Sequence, residues 1–385
     1  MNNSKIFDVI VVGSGPAGVH AAYPLVEAGV KVAMIDAANF NGNLKVKSNI
    51  PVAQSFSKGG FSNQWFGLSD FFNKKELQNC GLPVKAIQRE YKEVAKQIGL
   101  ETNPKLSFQG ELLSKHPLFY ILPLAWNYRT AKQVDKFKKR KNFTYVPQLT
   151  TQIKKAKNCL EVIADSSFHT KYVILAAGAV NTTRILLKSL NLYNKKVSLL
   201  TKPNEILMCI NIKTLFARKS YGGNGQVGLL GKGNPKTFDR YFVQFYEPSP
   251  EKYPIFRLFG GNLLVADIRF PGIPSKEKYC MLRKEKNGDT LEVGFKETGI
   301  EKQIHKEAVD NLKNQLKKIG IIPFLSIKGM SNHFSDGAST LKMSRVYVAD
   351  SASWEMLPSK PPTLTIMANA SRVGKQVLKK LQEND

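Results

Sequence analysis

Nowhere in the 385 residues does an unbroken apolar run approach the roughly 18 residues that a membrane-spanning helix needs. The opening MNNSKIFDVIVVG has no secretory leader with a small-residue cleavage site, and its apolar residues are already used by a strand, so cytoplasmic residence is the expectation. Cysteine is scarce: Cys80, Cys159, Cys209 and Cys280 lie far apart, form no C-x-x-C and stand at no metal-ligand spacing from histidine. They read as reduced thiols, and no metal site is expected. Gly60-Phe61-Ser62 lacks the rest of a G-x-S-x-G elbow, and no Ser-His-Asp constellation competes. Acidic residues are few as well. Only 30 face 57 basic ones, for a formal charge of +27 and a bias toward anions. The densest basic run, Lys136 to Lys141, would suit nucleic acid, anionic lipid or a phosphorylated substrate. The remaining lysines are scattered rather than striped, which favours a solvated turn, and no nucleic-acid-binding signature accompanies the run.

What is present is organised around Asp8 to Asp36, DVIVVGSGPAGVHAAYPLVEAGVKVAMID. An apolar strand runs into G-x-G-x-x-G at Gly13, Gly15 and Gly18, where a helix begins with Pro16 and Ala17. Gly13 permits the tight turn, Gly15 lets backbone approach a pyrophosphate, and Gly18 lets the helix lie close on the sheet, its N-terminus facing the phosphates. A second strand, Val30 to Ile35, ends at Asp36, about 20 residues on, where a carboxylate accepts hydrogen bonds from a ribose. The stretch is a dinucleotide-binding βαβ unit.

Downstream, Ser57 to Gly67 holds paired glycines among small polar residues (Gly59, Gly60, Ser62, Asn63, Trp65), a pattern for backbone packed on a ligand. A helix is expected from Pro83 to Ile98, stopped by Gly99, and the apolar Pro117 to Trp126 is too short to span a membrane and reads as pocket wall. Phe143–Val146, Leu149–Ile153, Leu160–Ala164 and Lys171–Ala176 suggest a meander ending at Ala177-Gly178 and a helix. From about 199 to 295, period-two runs split by Gly, Pro and Asn indicate an antiparallel second domain. Within it Gly223, Gly225 and Gly228 spell a second G-x-G-x-x-G, but Gly231, Gly233 and Pro235 follow where a helix would run, so it reads as a hairpin loop. A helix from Lys306 to Ile319, a strand from Val346 to Ala349 ending at Asp350, and a closing helix from Thr363 to Leu381 complete the chain. The first turn of that last helix could face the nucleotide.

Four blocks in this order, GSGPAG, GGFSNQWFG, VILAAGAVNTTRILL, and SNHF followed by VYVADSASWEMLPSKPPTLTIMANASRVG, resemble the glucose-methanol-choline oxidoreductases, which are flavoproteins. They cover about a third of the chain, the last being the most specific. The resemblance implies an α/β fold with a Rossmann-type, glutathione-reductase-like FAD-binding domain and a second, antiparallel-sheet substrate domain. It assigns 1–75, 127–198 and 328–385 to the first and 76–126 with 199–327 to the second. It also implies extended FAD, with Ala177, Gly178, Asp350, Ser351, Pro362 and Thr363 beside it. Relatives that attach FAD covalently have His before the Trp of the second block; Gln64 stands there, which implies noncovalent FAD. The family pairs a catalytic His with a second His or Asn. His333 matches the first, although Gly337 comes one place later than in the usual pattern, and the second position is Pro361, which has no side-chain donor. Lys360 or Ser359 substitutes for it, or catalysis rests on His333 alone.

Chemistry supports His333 independently: alcohol oxidation needs a base near the hydroxyl, and imidazole is the side chain neutral often enough at cellular pH. His20, His116, His169 and His305 read as structural, His20 within the first helix and the others in loops. The expected function is FAD-dependent oxidation of an alcohol on a sugar, sugar phosphate, nucleotide-sugar or glycan, with anionic substrates suiting the charge. Electrons would leave to oxygen, a quinone or a protein. The alternative is a reductive or non-catalytic flavoprotein that binds acidic glycans or an anionic membrane surface peripherally.

Overall fold

The computed structural model describes residues 6–38, 40, 42, 44–214, 226–233, 240–248 and 262–384. Its strands are β1 (Ile6–Val12), β2 (Val32–Asp36), β3 (Val46–Ser48), β4 (Tyr120–Ile121), β5 (Phe143–Pro147), β6 (Gln152–Lys155), β7 (Leu160–Ile163), β8 (Ser167–Leu175), β9 (Val197–Asn211), β10 (Val227–Lys232), β11 (Arg240–Tyr246), β12 (Leu263–Arg269), β13 (Tyr279–Glu285), β14 (Gly288–Gly294), β15 (Ile321–Asp336) and β16 (Val346–Val348). The helices are α1 (Pro16–Glu27), α2 (Lys74–Asn79), α3 (Val84–Ile98), α4 (Phe108–Ser114), α5 (Thr130–Phe137), α6 (Ala179–Ser189), α7 (Gly299–Lys318) and α8 (Thr363–Asn384).

The first sheet runs β5-β2-β1-β8-β7-β6, with β16 beside β8. Strands β5, β2, β1, β8 and β16 are mutually parallel. Val9–Val12, Val32–Ile35 and Val173–Leu175 are buried on both faces, as an internal parallel sheet requires. One face is covered by α1, α5 and α8, the other by α6 and by strands of the second sheet. Each fully buried Val, Leu or Ile contributes about 1.5–3 kcal/mol, so this double cover holds the strand ends rigidly. The meander is shorter than the sequence suggests. Only β6, β7 and β8 form it, while β5 lies parallel to β2 at the far edge, with Val32 opposite Phe143. Phe143 packs there against Phe137 of α5, their rings 5.3 Å apart, and this burial outweighs local pairing.

The second sheet runs β3-β14-β13-β9-β12-β11-β10-β4, with β15 also on β9. All its pairings are antiparallel except β14 with β3, so β3 joins this sheet from within the span 1–75. Helix α7 lies on one face. It begins at Gly299 rather than Lys306 because Thr298 and Glu301 form a reciprocal capping box, a signal the apolar periodicity does not contain. Helix α3 ends at Gly99 as expected and packs its Ile87, Tyr91 and Val94 face against Leu364 and Met367 of α8. The 117–126 segment is buried at Phe119, Leu122 and Ala125 but forms sheet edge and core, not pocket wall. Gly223 and Gly225 lie outside the described residues, and Gly228 sits on β10. Among the described residues no helix is long and apolar enough to cross a membrane.

Candidate active site

The C-terminal ends of β1, β2, β8 and β16 converge on a cavity of about 590 Å³, the position where open α/β sheets bind ligands. Gly13 turns there with φ +103°, its amide donating to Ile35 O at 2.8 Å. A Cβ on Gly13 would overlap the Ala176 carbonyl, and one on Gly18 the Gly13 carbonyl, so loop, helix and β8 touch through bare backbone. Gly15 differs: nothing lies within 4 Å of where its Cβ would be, and it faces the cavity at the N-terminus of α1. Asp36 holds the loop from the other side. Its carboxylate accepts from Ser14 N (2.7 Å), Ala38 N (3.1 Å) and the Tyr145 hydroxyl (3.3 Å), and burial pushes its pKa up against these bonds.

The glycine-rich block is pinned to the same loop. Gly59 N donates to Ser14 Oγ at 2.8 Å, and Ser62 Oγ donates to Gly59 O at 2.7 Å. Gly60, Ser62 and Trp65 line the cavity, as do Pro16 and Ala17. Gly59 and Asn63 do not: Gly59 is engaged with Ser14, and Asn63 Nδ2 donates to Lys58 O at 2.9 Å. Ala177, Gly178, Asp350, Ser351, Pro362 and Thr363 close the wall. Asp350 ties them together, accepting from Gly178 N (2.9 Å), Thr182 Oγ1 (2.6 Å) and Ala352 N (2.9 Å); burial pushes its pKa up to about 6. Four buried side-chain atoms on this wall have no hydrogen-bond partner: Gln54 Oε1, Thr150 Oγ1, Asn181 Oδ1 and Arg184 Nε. Buried polar groups are rarely left so. Open backbone at Gly15 and unmet polar atoms along the wall together fit an extended dinucleotide.

At the other end stands His333. Met330 pairs with Pro203 and Phe334 with Thr201, so three residues of β15, 331 to 333, oppose one residue of β9, Lys202. A bulge re-aims side chains in this way, and this one brings His333 to the cavity wall. Ser331 Oγ accepts from His333 N and bonds His333 Nδ1, both at 3.1 Å. Burial, then the Lys202 and Arg269 cations, hold the imidazole pKa well below 6.5. Lys202 is fully buried, its Nζ donating to Lys360 O at 2.5 Å and Ser359 O at 3.2 Å, so the sheet is stapled to the proline loop. Pro361, Trp65, Phe66, Gln244 and Arg269 complete this end.

Lys360 and Ser359 do not reach the cavity. Lys360 Nζ donates to Phe71 O at 2.8 Å and lies 3.4 Å from Glu76 Oε2 and 3.7 Å from Asp70 Oδ2, a buried cation drawn to two carboxylates on the far side of the loop. Ser359 is 3% exposed, its hydroxyl directed at Arg240 O. Two histidines are not in loops as read from the sequence. His169 is on β8, and His305 is in α7, bonded to Glu297 and stacked on Phe270. His20 is buried against Tyr128, its pKa lowered by burial to about 4. Ser331, Lys202, Gln244 and Arg269 were missed in the sequence, where the last three sit in strand patterns that give no sign of the cavity. The S-x-H spacing was the one signal for Ser331. All four cysteines are free, and burial pushes Cys209 up to about 12, which suits inert core thiols. No cluster of potential metal ligands occurs among the described residues.

Residues 7–205 match the pyridine nucleotide-disulphide oxidoreductase family. No curated protein matches by sequence. Among solved structures, pyridoxine 4-oxidase from Mesorbium loti is similar with a TM-score of 0.63 at 14% identity, over 96% of this chain and 99% of that one. An FAD-dependent oxidoreductase from Chaetomium thermophilum gives 0.69 at 13% identity, over 98% and 100%. Formate oxidase from Aspergillus oryzae gives 0.64 at 11% identity over the whole of both chains. These likenesses establish the fold. The chain belongs to the pyridine nucleotide-disulphide oxidoreductase family and has the fold of FAD-dependent oxidoreductases.

Proposed function

We propose that this protein oxidises an alcohol, with His333 as the base and FAD held noncovalently between the Gly13–Gly18 loop and Asp350. The observation that carries the reading is His333, raised on its bulge into the same cavity that Gly15 and Asp36 line at the other end. FAD, when bound, would accept the hydride from the alcohol carbon. His333 Nε2 takes the hydroxyl proton as the carbonyl forms. Ser331 Oγ already accepts from the His333 amide; by accepting also from Nδ1–H it leaves the Nε2 lone pair for substrate. Trp65, Phe66 and Pro361 give the reacting end an apolar lining. The 1–75, 127–198 and 328–385 spans would form the FAD-binding unit, and 76–126 with 199–327 the substrate cap. The substrate class is a sugar, sugar phosphate, nucleotide-sugar or glycan, with electrons passing to oxygen, a quinone or a protein. Anaerobic addition of such alcohols to the FAD-loaded protein tests this: stoichiometric bleaching of the flavin is expected. Binding of acidic glycans with no bleaching by any alcohol would favour the binding-protein reading instead.

Two further results are expected. Ser331→Ala should lower the bleaching rate by roughly tenfold, because a misdirected tautomer forfeits part of the 10²–10⁴ that a positioned base supplies; pre-steady-state absorbance measures it, and an unchanged rate would remove Ser331 from the proposal. The pH profile should be flat through the ordinary imidazole range. Neutral His333 is the active form, and its lowered pKa delays protonation, so the acid limb of kcat/KM should begin well below pH 6.5. A limb centred at 6.5 would contradict a half-buried base flanked by Lys202 and Arg269.

A further inference from the structure

We propose that Arg269 is the anion-binding residue of the substrate cavity and that the alcohol oxidised carries a carboxylate. The inference rests on the oxidation reading for its reacting end only. Arg269 ends β12 opposite Asn204 of β9, and Gly329 of β15 lies opposite the same Asn204 on the other side. Arg269 and the His333 bulge therefore flank one short stretch of β9, and both line the cavity. The guanidinium is fixed rather than floppy. Nε and Nη2 donate to Asp267 Oδ2 at 3.0 and 2.5 Å, and Nη2 reaches Gln244 Oε1 at 3.4 Å. Among the described residues Nη1 has no hydrogen-bond partner, and Arg269 is one of the residues that line the cavity.

Charge decides the class of anion. Asp267 already offsets one unit of positive charge at the Arg269 guanidinium. One preorganised guanidinium terminus with little surplus charge suits a monoanionic carboxylate, whereas a phosphate dianion would call for several cationic donors. A substrate anchored at Arg269 by its carboxylate presents its hydroxyl to His333, which fixes which carbon faces the flavin.

Benzoate, benzamide and phenyl phosphate serve as unreactive probes, titrated calorimetrically into the FAD-loaded protein at low and high salt. Benzoate should bind at least about tenfold tighter than benzamide, the increment of a charge-assisted hydrogen bond. Arg269→Met should erase that difference while keeping the flavin spectrum, and Arg269→Lys should restore part of it. Should Arg269→Met fail to fold, a weakened preference in Arg269→Lys is the result required. Equal binding of benzoate and benzamide, tighter binding of phenyl phosphate, or a preference that survives in both variants overturns the proposal. His333→Ala should keep the preference, so a protein that prefers benzoate yet oxidises no alcohol sinks the catalytic reading and leaves Arg269 standing as the anion-binding residue.

Discussion

Replacing His333 with alanine should slow substrate-dependent flavin bleaching by about two to four orders of magnitude, the usual contribution of a positioned base, and leave FAD bound. The two effects separate because His333 stands on β15 of the second sheet, whereas Gly15 and Asp36 belong to the βαβ unit of the first. The bulge is over-determined without the imidazole. Thr201 Oγ1 donates to Ser331 O at 2.7 Å and Ser351 Oγ donates to Phe334 O at 2.6 Å, so the backbone on either side of residue 333 keeps its place. His333→Asn is the stricter variant, because an amide can hydrogen-bond but cannot take up the proton. Anaerobic single-turnover absorbance decides: equal bleaching in the wild type and His333→Ala would show that the base lies elsewhere.

Gly15→Val should give a protein that folds and takes up no flavin. Gly15 has an ordinary φ of −67°, and an added Cβ would meet no protein atom within 4 Å, so the melting temperature of the apoprotein should change little. The same side chain would occupy the space through which a pyrophosphate reaches the α1 amides. An affinity loss of at least about a hundredfold is expected, roughly 2.8 kcal/mol. Gly13→Ala should behave in the opposite way. With φ at +103° and the Ala176 carbonyl in the path of a Cβ, it should destabilise the apoprotein itself. Flavin fluorescence quenching and thermal melts of the two apoproteins distinguish these outcomes. Normal FAD uptake by Gly15→Val would mean that the dinucleotide does not pass over this glycine.

The legible part of this protein was local. Gly13, Gly15, Gly18 and Asp36 lie on one βαβ unit, where spacing alone dictates geometry, and the structure brings them together as the spacing requires. Helix α3 and its Gly99 stop were equally plain, since a 3.6-residue apolar period and a left-handed C-cap are both sequence patterns. What stayed hidden depends on pairing between distant strands. Arg269 and Gln244 read as ordinary strand residues until β12, β11 and β9 are placed side by side. Lys360 was misplaced because its direction follows from Asp70 and Glu76, nearly 300 positions earlier, whose pull no proline-loop motif can reveal. The fate of β5 was hidden for the same reason, as α2, α3, α4 and α5 all lie between it and its partner β2.

The placement of β16 and α8 in the first layer has a kinetic consequence. Helix α8 packs across α1 and α3, and Asp350 caps the turn after β8, so the dinucleotide end is closed by segments that ribosomes deliver well after β1 and β8. Until then Val173–Leu175 of β8 form an apolar edge with nothing beside it, a surface that pairs readily with other chains. Loop closure over such separations is entropically slow, and contacts this distant in sequence set the pace of folding. Conditions that slow self-association of the half-built sheet, such as lower temperature or holdase chaperones, should therefore raise the yield of this protein more than any change to the nucleotide loop.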